Sequence, residues 1–117
     1  MARYHRLRVW HLAIEIVQLV QEDLPNLRGE ADLRDQIKRS SRSVATNIAE
    51  GSERRTDKEF RHFLDIARGS AAELGNWYVI IGAIGLLGGE RIAYVGDKID
   101  HLGRSLSRFM TTLGGGT

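Results

Sequence analysis

Fourteen of the seventeen basic residues in this chain are arginine. The planar guanidinium binds phosphate or carboxylate through two parallel hydrogen bonds. Spacing sorts these cations into groups. Lys38, Arg39 and Arg42 lie close together, and Arg54 and Arg55 adjoin. Arg61 and Arg68 are about two helical turns apart, and Arg104 and Arg108 about one. Cations clustered in this way neutralise phosphates, giving salt-sensitive binding with little sequence preference. The competing arrangement is a solvated face on which the arginines pair with acids three or four residues away.

Other residue types argue against catalysis. Glu59-Phe60-Arg61-His62 has the Glu-x-x-His spacing of helical carboxylate metal sites, which need two copies. Here it occurs once. Glu50 and Glu73 would have to meet to act as acid and base. His5, His11, His62 and His101 show no other ligand spacing, and Ser43 and Ser70 lack a nucleophile-elbow setting. Gly85 to Gly89 lacks the Lys-Ser/Thr of a phosphate loop. The chain has no cysteine, which excludes disulfides and thiol chemistry and fits a reducing compartment. We therefore expect no catalytic residue, no metal and no cofactor. Asn47, Glu50, Gly51, Gly69, Ser70 and Glu73 read instead as a structural set: a buried hydrogen-bond network with close helix contacts at Gly51 and Gly69.

The elements that position these residues are helices. A single proline, Pro25, and few turn clusters interrupt a 3.6-residue periodicity that fills the chain. Val9, Leu12, Ala13, Ile16, Val17, Val20 and Leu24 form one apolar stripe over a first segment, Leu7 to Leu24, which breaks at Pro25-Asn26 and Gly29. A second segment starts at Asp32, read as its N-cap. Its stripe of Leu33, Ile37, Ser41, Val44, Ile48 and Gly51 is rich in small residues, and it ends between Gly51 and Arg55. Thr56-Asp57-Lys58-Glu59 has the form of a capping box opening a third segment, with Glu59 reaching back to the cap's backbone N–H. That segment ends before Gly88-Gly89. In the fourth, Glu90 to Leu113, the residues Ile92, Val95, Ile99, Leu102, Leu106, Phe109 and Leu113 alternate spacings of three and four, a heptad seam. Short connections make neighbours antiparallel, so the expected fold is all-α, an antiparallel up-down four-helix bundle. Residues 1–113 form one domain, and the Gly-rich tail 114–117 is expected to be disordered. Trp10 and Trp77 read as core or interface anchors.

At 117 residues and 42% apolar composition, one globular core is affordable without staples. The net charge is only +2. No apolar run has signal-peptide or bilayer length, since Trp77 to Leu87 is broken by Gly82 and Gly85. The expected location is the cytoplasm, away from any membrane.

Two strings carry a resemblance. They are Gln36-Ile37-Lys38-Arg39-Ser40-Ser41-Arg42-Ser43-Val44-Ala45-Thr46-Asn47-Ile48-Ala49-Glu50-Gly51 and Glu59-Phe60-Arg61-His62-Phe63-Leu64-Asp65-Ile66-Ala67-Arg68-Gly69-Ser70-Ala71-Ala72-Glu73-Leu74. With Leu7-Arg8-Val9-Trp10 and Ala13, they resemble the bacterial four-helix bundle proteins called 23S rRNA intervening-sequence proteins. That family is in turn similar to the accessory protein of diversity-generating retroelements, which works beside a reverse transcriptase. The resemblance spans Tyr4 to about Leu113. This chain departs from it at Ser40-Ser41 (usually Ala-Ala), Ala45 (usually Pro), Asp32 (usually Gly) and Gly75 (usually longer). The resemblance implies a homopentamer with a basic surface or channel, in which +2 per chain becomes +10 and every cationic patch is repeated. By association it implies an RNA partner, bound without enzymatic activity. The alternative is an adaptor for a nucleic-acid enzyme such as a reverse transcriptase.

Overall fold

A computed structural model describes residues 2–113. The tail at 114–117, expected to be disordered, lies outside the described residues. Four helices account for most of the rest: α1 (Arg8–Asp23), α2 (Ala31–Ser52), α3 (Asp57–Ala83) and α4 (Gly89–Thr112). A single 3-10 turn, Arg3–Arg6, precedes α1, and a second, Leu24–Leu27, follows it. Each helix bears one apolar stripe, and the four stripes close on one another as the sequence predicts. α2 packs on α1 and α3, and α4 packs on α3 and α1. The result is an antiparallel up-down bundle measuring 44 × 24 × 20 Å.

The boundaries have local causes. Pro25 tightens the chain into the second 3-10 turn instead of ending it abruptly. α2 starts one residue before Asp32, with Glu30 as N-cap and no side-chain cap, so Asp32 lies in the first turn and favours the helix only by its charge. At α3 the Thr56 hydroxyl accepts from the Glu59 backbone N–H at 3.1 Å, as expected of a cap. The return arm differs, because the Glu59 carboxylate accepts from the Thr56 hydroxyl and not from its backbone. α3 stops at Gly85, whose φ of 77° suits glycine. There the N–H groups of Gly85 and Leu86 donate back to Gly82 and Ile81, both at 3.1 Å, which closes the helix end.

The core runs the length of the bundle. Ala13, Ile16 and Val20 of α1 meet Ile37, Val44 and Ile48 of α2, Phe60, Leu64, Leu74, Tyr78 and Ile81 of α3, and Val95, Ile99, Leu102 and Leu106 of α4. Ile92 and Phe109, near the two ends of the α4 seam, are half-buried. Trp10 and Trp77 are also half-buried, at the margin of this core.

Candidate nucleic-acid interface

The middle of α2 turns a polar groove of about 580 Å³ outward. Lys38, Arg39 and Arg42 line it with Asp35, Ser43 and Thr46. Its wall is fixed by hydroxyl chemistry. The Ser43 and Ser70 hydroxyls share a hydrogen bond at 2.9 Å, which ties α2 to α3. The Asn47 amide donates to the Ser43 carbonyl at 2.8 Å and to its hydroxyl at 3.1 Å. Thr46 donates back to the Arg42 carbonyl at 3.0 Å, which spends its proton locally. None of Lys38, Arg39 and Arg42 has an acid within ion-pair distance among the described residues. No described acid therefore neutralises these cations.

The other six predicted cations collect in one half of the bundle, where α1 and α3 begin and α2 and α4 end. That half comprises residues 2–15, 43–69 and 102–113, and holds ten basic against six acidic residues, net +4. The opposite half, 16–42 and 70–101, holds seven basic against nine acidic, net −2. Within the basic half the arginines differ. Arg54 faces Glu50 at 3.9 Å and lies over the Phe63 ring at 4.6 Å. Arg61 donates to the Leu113 carbonyl at 2.9 Å, and Arg68 is held by Asp65 at 2.5 Å and by the Ser107 hydroxyl at 3.2 Å. Among the described residues, Arg55 and Arg104 are exposed and have no acidic partner, and Arg108 has only a long contact to Ser105 at 3.5 Å. Arg68, Arg104 and Arg108 line a groove of about 860 Å³ between α3 and α4, together with the buried Ala71 and Ile99, Gly75 and Gly103.

The structural motif residues divide. Gly51 is a true close approach: a Cβ there would stand 2.7 Å from the Phe63 Cβ and 2.9 Å from the Phe60 ring. Gly69 is not. A Cβ at 69 would meet nothing within 4 Å, because the residue lies on an outer face of α3 and not against α2. The hydrogen-bond network contains Asn47 and Ser70, joined by Ser43, but neither glutamate. Glu50 is exposed beside Arg54, and exposed Glu73 accepts from the Trp77 indole at 3.3 Å. Gly51 lies opposite Phe63 and Ser43 opposite Ser70, so Glu50 and Glu73 are separated by about ten residues along α3, or about 15 Å. They do not form a carboxylate pair. Glu59 is engaged at its cap and the exposed His62 ring packs edge-on to Phe63. Among the described residues there is no group of three metal-ligating side chains, and no described helix is long and apolar enough to cross a membrane.

Two features escaped sequence reasoning. Arg6 and Arg8, spread along the N-terminal segment, join Arg108 around a pocket between the start of α1 and the end of α4. At the acidic end, the buried Asp23 accepts from the Tyr78 hydroxyl at 2.6 Å and from the Arg91 guanidinium at 2.9 Å. Arg91 also reaches Glu22 and the Leu19 carbonyl, both at 3.2 Å. Burial, and then the hydrogen bond to Asp23, push the Tyr78 hydroxyl well above the usual tyrosine range. The one available signal was an acid at the register of the α1 stripe, three residues after Val20.

Comparison with known proteins adds three findings. A protein-family model described as 23S rRNA-intervening sequence protein matches residues 5–108. No curated protein matches. Among solved structures, the chain is similar to a protein of unknown function from the S23 ribosomal protein family of Bacteroides thetaiotaomicron, with a TM-score of 0.81 at 20% identity. That likeness covers 87% of this chain and 97% of the other, and it bears on the fold alone.

Proposed function

Because the chain belongs to the 23S rRNA-intervening sequence protein family, we propose that it is a non-enzymatic, oligomeric RNA-binding bundle of the cytoplasm that grips phosphates with its arginines. The observation that carries this reading is the set of cations without acidic partners among the described residues: Lys38, Arg39 and Arg42 on α2, and Arg55, Arg104 and Arg108 in the basic half. A cation already satisfied within the chain gains little from a phosphate, whereas an unpaired one releases condensed counterions from the nucleic acid. Contacts of this kind hold a backbone and follow its shape, and a structured RNA with closely spaced phosphates suits them. A pentamer, the assembly implied by resemblance, repeats each patch five times and raises avidity without any new contact.

Fluorescence anisotropy with a structured rRNA fragment across a salt series tests the binding. We expect affinity to fall steeply and log-linearly with salt, and absence of binding even at low salt ends the RNA reading. Light scattering tests the assembly, with a pentamer expected at five times 13.1 kDa.

One observation favours a second reading. Val79, Ile84 and Tyr94 are 64%, 56% and 50% exposed, and Val79 sits in the α3–α4 groove. Apolar groups on such a surface suit a protein helix, either a second copy or a nucleic-acid enzyme such as a reverse transcriptase for which this chain is the adaptor. Stoichiometric recovery of one protein after nuclease treatment supports the adaptor, and recovery of none removes it.

A further inference from the structure

The pocket formed by the start of α1 and the last turns of α4 differs in kind from the other cavities. It is compact, about 350 Å³, at the small end of the range for small-molecule sites. Arg6, Arg8 and Arg108 stand around it, and its remaining polar side chain is Ser105. Leu7, Val9 and Phe109 supply an apolar floor. The α3–α4 groove contains Asp100, the α2 groove Asp35, the groove beside Arg61 Asp65, and the cleft at the acidic end Glu22 and Asp23. The arginine pocket alone among these five has no carboxylate. Arg6 and Arg8 form no ion pair among the described residues, and Arg108 only touches the Ser105 hydroxyl.

Three exposed arginines around one pocket, with no carboxylate in its lining, repel one another unless an anion joins them. The walls that carry them are held in place beforehand. Arg3 donates to the Ser52 carbonyl at 3.3 Å, which pins the 3-10 turn that ends at Arg6. The His11 ring donates to the His5 carbonyl at 2.7 Å, and the Tyr4 and Trp10 rings meet at 4.9 Å, so the turn is fastened to α1. Phe109 packs edge-on against Phe60 at 5.5 Å, which fixes the floor. The backbone that carries the arginines is therefore fixed beforehand, and a ligand has only their exposed side chains to order.

We infer that this pocket binds a terminal nucleoside monophosphate unit, with the phosphate among Arg6, Arg8 and Arg108 and the base or sugar against Leu7, Val9 and Phe109. The charge decides for a terminal phosphate over an internal one. A phosphomonoester carries nearly two negative charges at neutral pH, whereas a phosphodiester link carries one. Three guanidiniums keep an excess of about one positive charge against the first and about two against the second, so the monoester is the better match. The unit is either a free nucleotide or the end of an RNA strand, and the strand-end form rests on the RNA-binding reading above.

The test compares a 5′-phosphorylated RNA decamer, the same decamer with a 5′-hydroxyl, and free uridine 5′-monophosphate. Wild type is expected to prefer the phosphorylated decamer about tenfold, and Arg6→Gln/Arg8→Gln to abolish the preference while its thermal melt is unchanged. Lys38→Gln/Arg39→Gln, on the separate α2 groove, is expected to weaken both decamers alike and to keep the ratio. Equal affinity of wild type for the two decamers overturns the strand-end form and leaves general RNA binding standing. Failure of both decamers to bind removes the RNA reading instead. The pocket is then judged by uridine monophosphate alone: amide shifts at Ser105 and Phe109 in an NMR titration uphold it, and unmoved amides overturn it.

Discussion

The Tyr78 hydroxyl donates to the Asp23 carboxylate at 2.6 Å across 55 residues of sequence, and Arg91 closes the same carboxylate from α4. Three helices are thereby joined at one buried acid. Such an acid is tolerable only because both its oxygens are satisfied, since an unpaired buried carboxylate is costly.

Tyr78→Phe removes one of those donors and leaves Arg91. The expected loss is about 1–3 kcal/mol, read from urea unfolding at neutral pH. Stability also acquires a pH signature. The folded Tyr78 hydroxyl ionises well above the unfolded value of about 10. Its contribution is complete below pH of about 10 and declines as pH rises past that value, because only the unfolded chain then releases the proton. Wild type is expected to lose stability between pH of about 9.5 and 11 more steeply than Tyr78→Phe. Parallel losses in the two proteins would show that Tyr78 is not the group responsible.

Gly51→Ala places a methyl group against the Phe63 Cβ and the Phe60 ring, neither of which is a flexible tip. Helices α2 and α3 must then part, at a cost of about 1–3 kcal/mol. Gly69→Ala meets open space and removes a helix-interior glycine, so it is expected to stabilise by up to about 1 kcal/mol. Thermal melts of the two variants should move in opposite directions.

RNA binding should sort the arginines by their existing partners. Replacing Arg39, Arg42 or Arg104 with Gln is expected to reduce the slope of log affinity against log salt by about 1 each. Arg68→Gln should change it less, because Asp65 and Ser107 already hold that guanidinium. Equal effects at all four positions would mean that internal pairing does not govern the interface.

Thr56→Ala removes the hydroxyl that accepts from the Glu59 N–H at the start of α3. The expected cost is about 1 kcal/mol, and Thr56→Ser should restore most of it. Denaturant midpoints of the two variants check this directly.

The bundle was legible because its information is local. The α4 seam needs only the alternation of three and four residues from Ile92 to Leu113, and Val95, Ile99, Leu102 and Leu106 are buried as that pattern requires. What escaped depends on distance. Asp23 looked like an ordinary charge after an apolar stripe, because its partners lie 55 and 68 residues away. Gly69 stands two residues from both Ala67 and Ala71 of the buried stripe, so its register already turned it away from the core. The clustering of Lys38, Arg39 and Arg42 was readable from their spacing. Their lack of acidic partners was not, since an acid three residues away, Asp35, lines the same groove without closing on them. The meeting of Arg6 and Arg8 with Arg108 required the fold, since it depends on the first and last helices lying side by side.

The separation of charge along the 44 Å bundle, net +4 in one half and −2 in the other, gives each chain a lengthwise electric dipole. In the field of a polyanion such a rod feels a torque before it makes contact. It turns its arginine-rich end forward once the two come within a few screening lengths, about 8 Å each at physiological salt. The first collision is then already an oriented one, led by Arg55, Arg104 and Arg108, and Lys38, Arg39 and Arg42 near mid-length close on the polyanion afterwards.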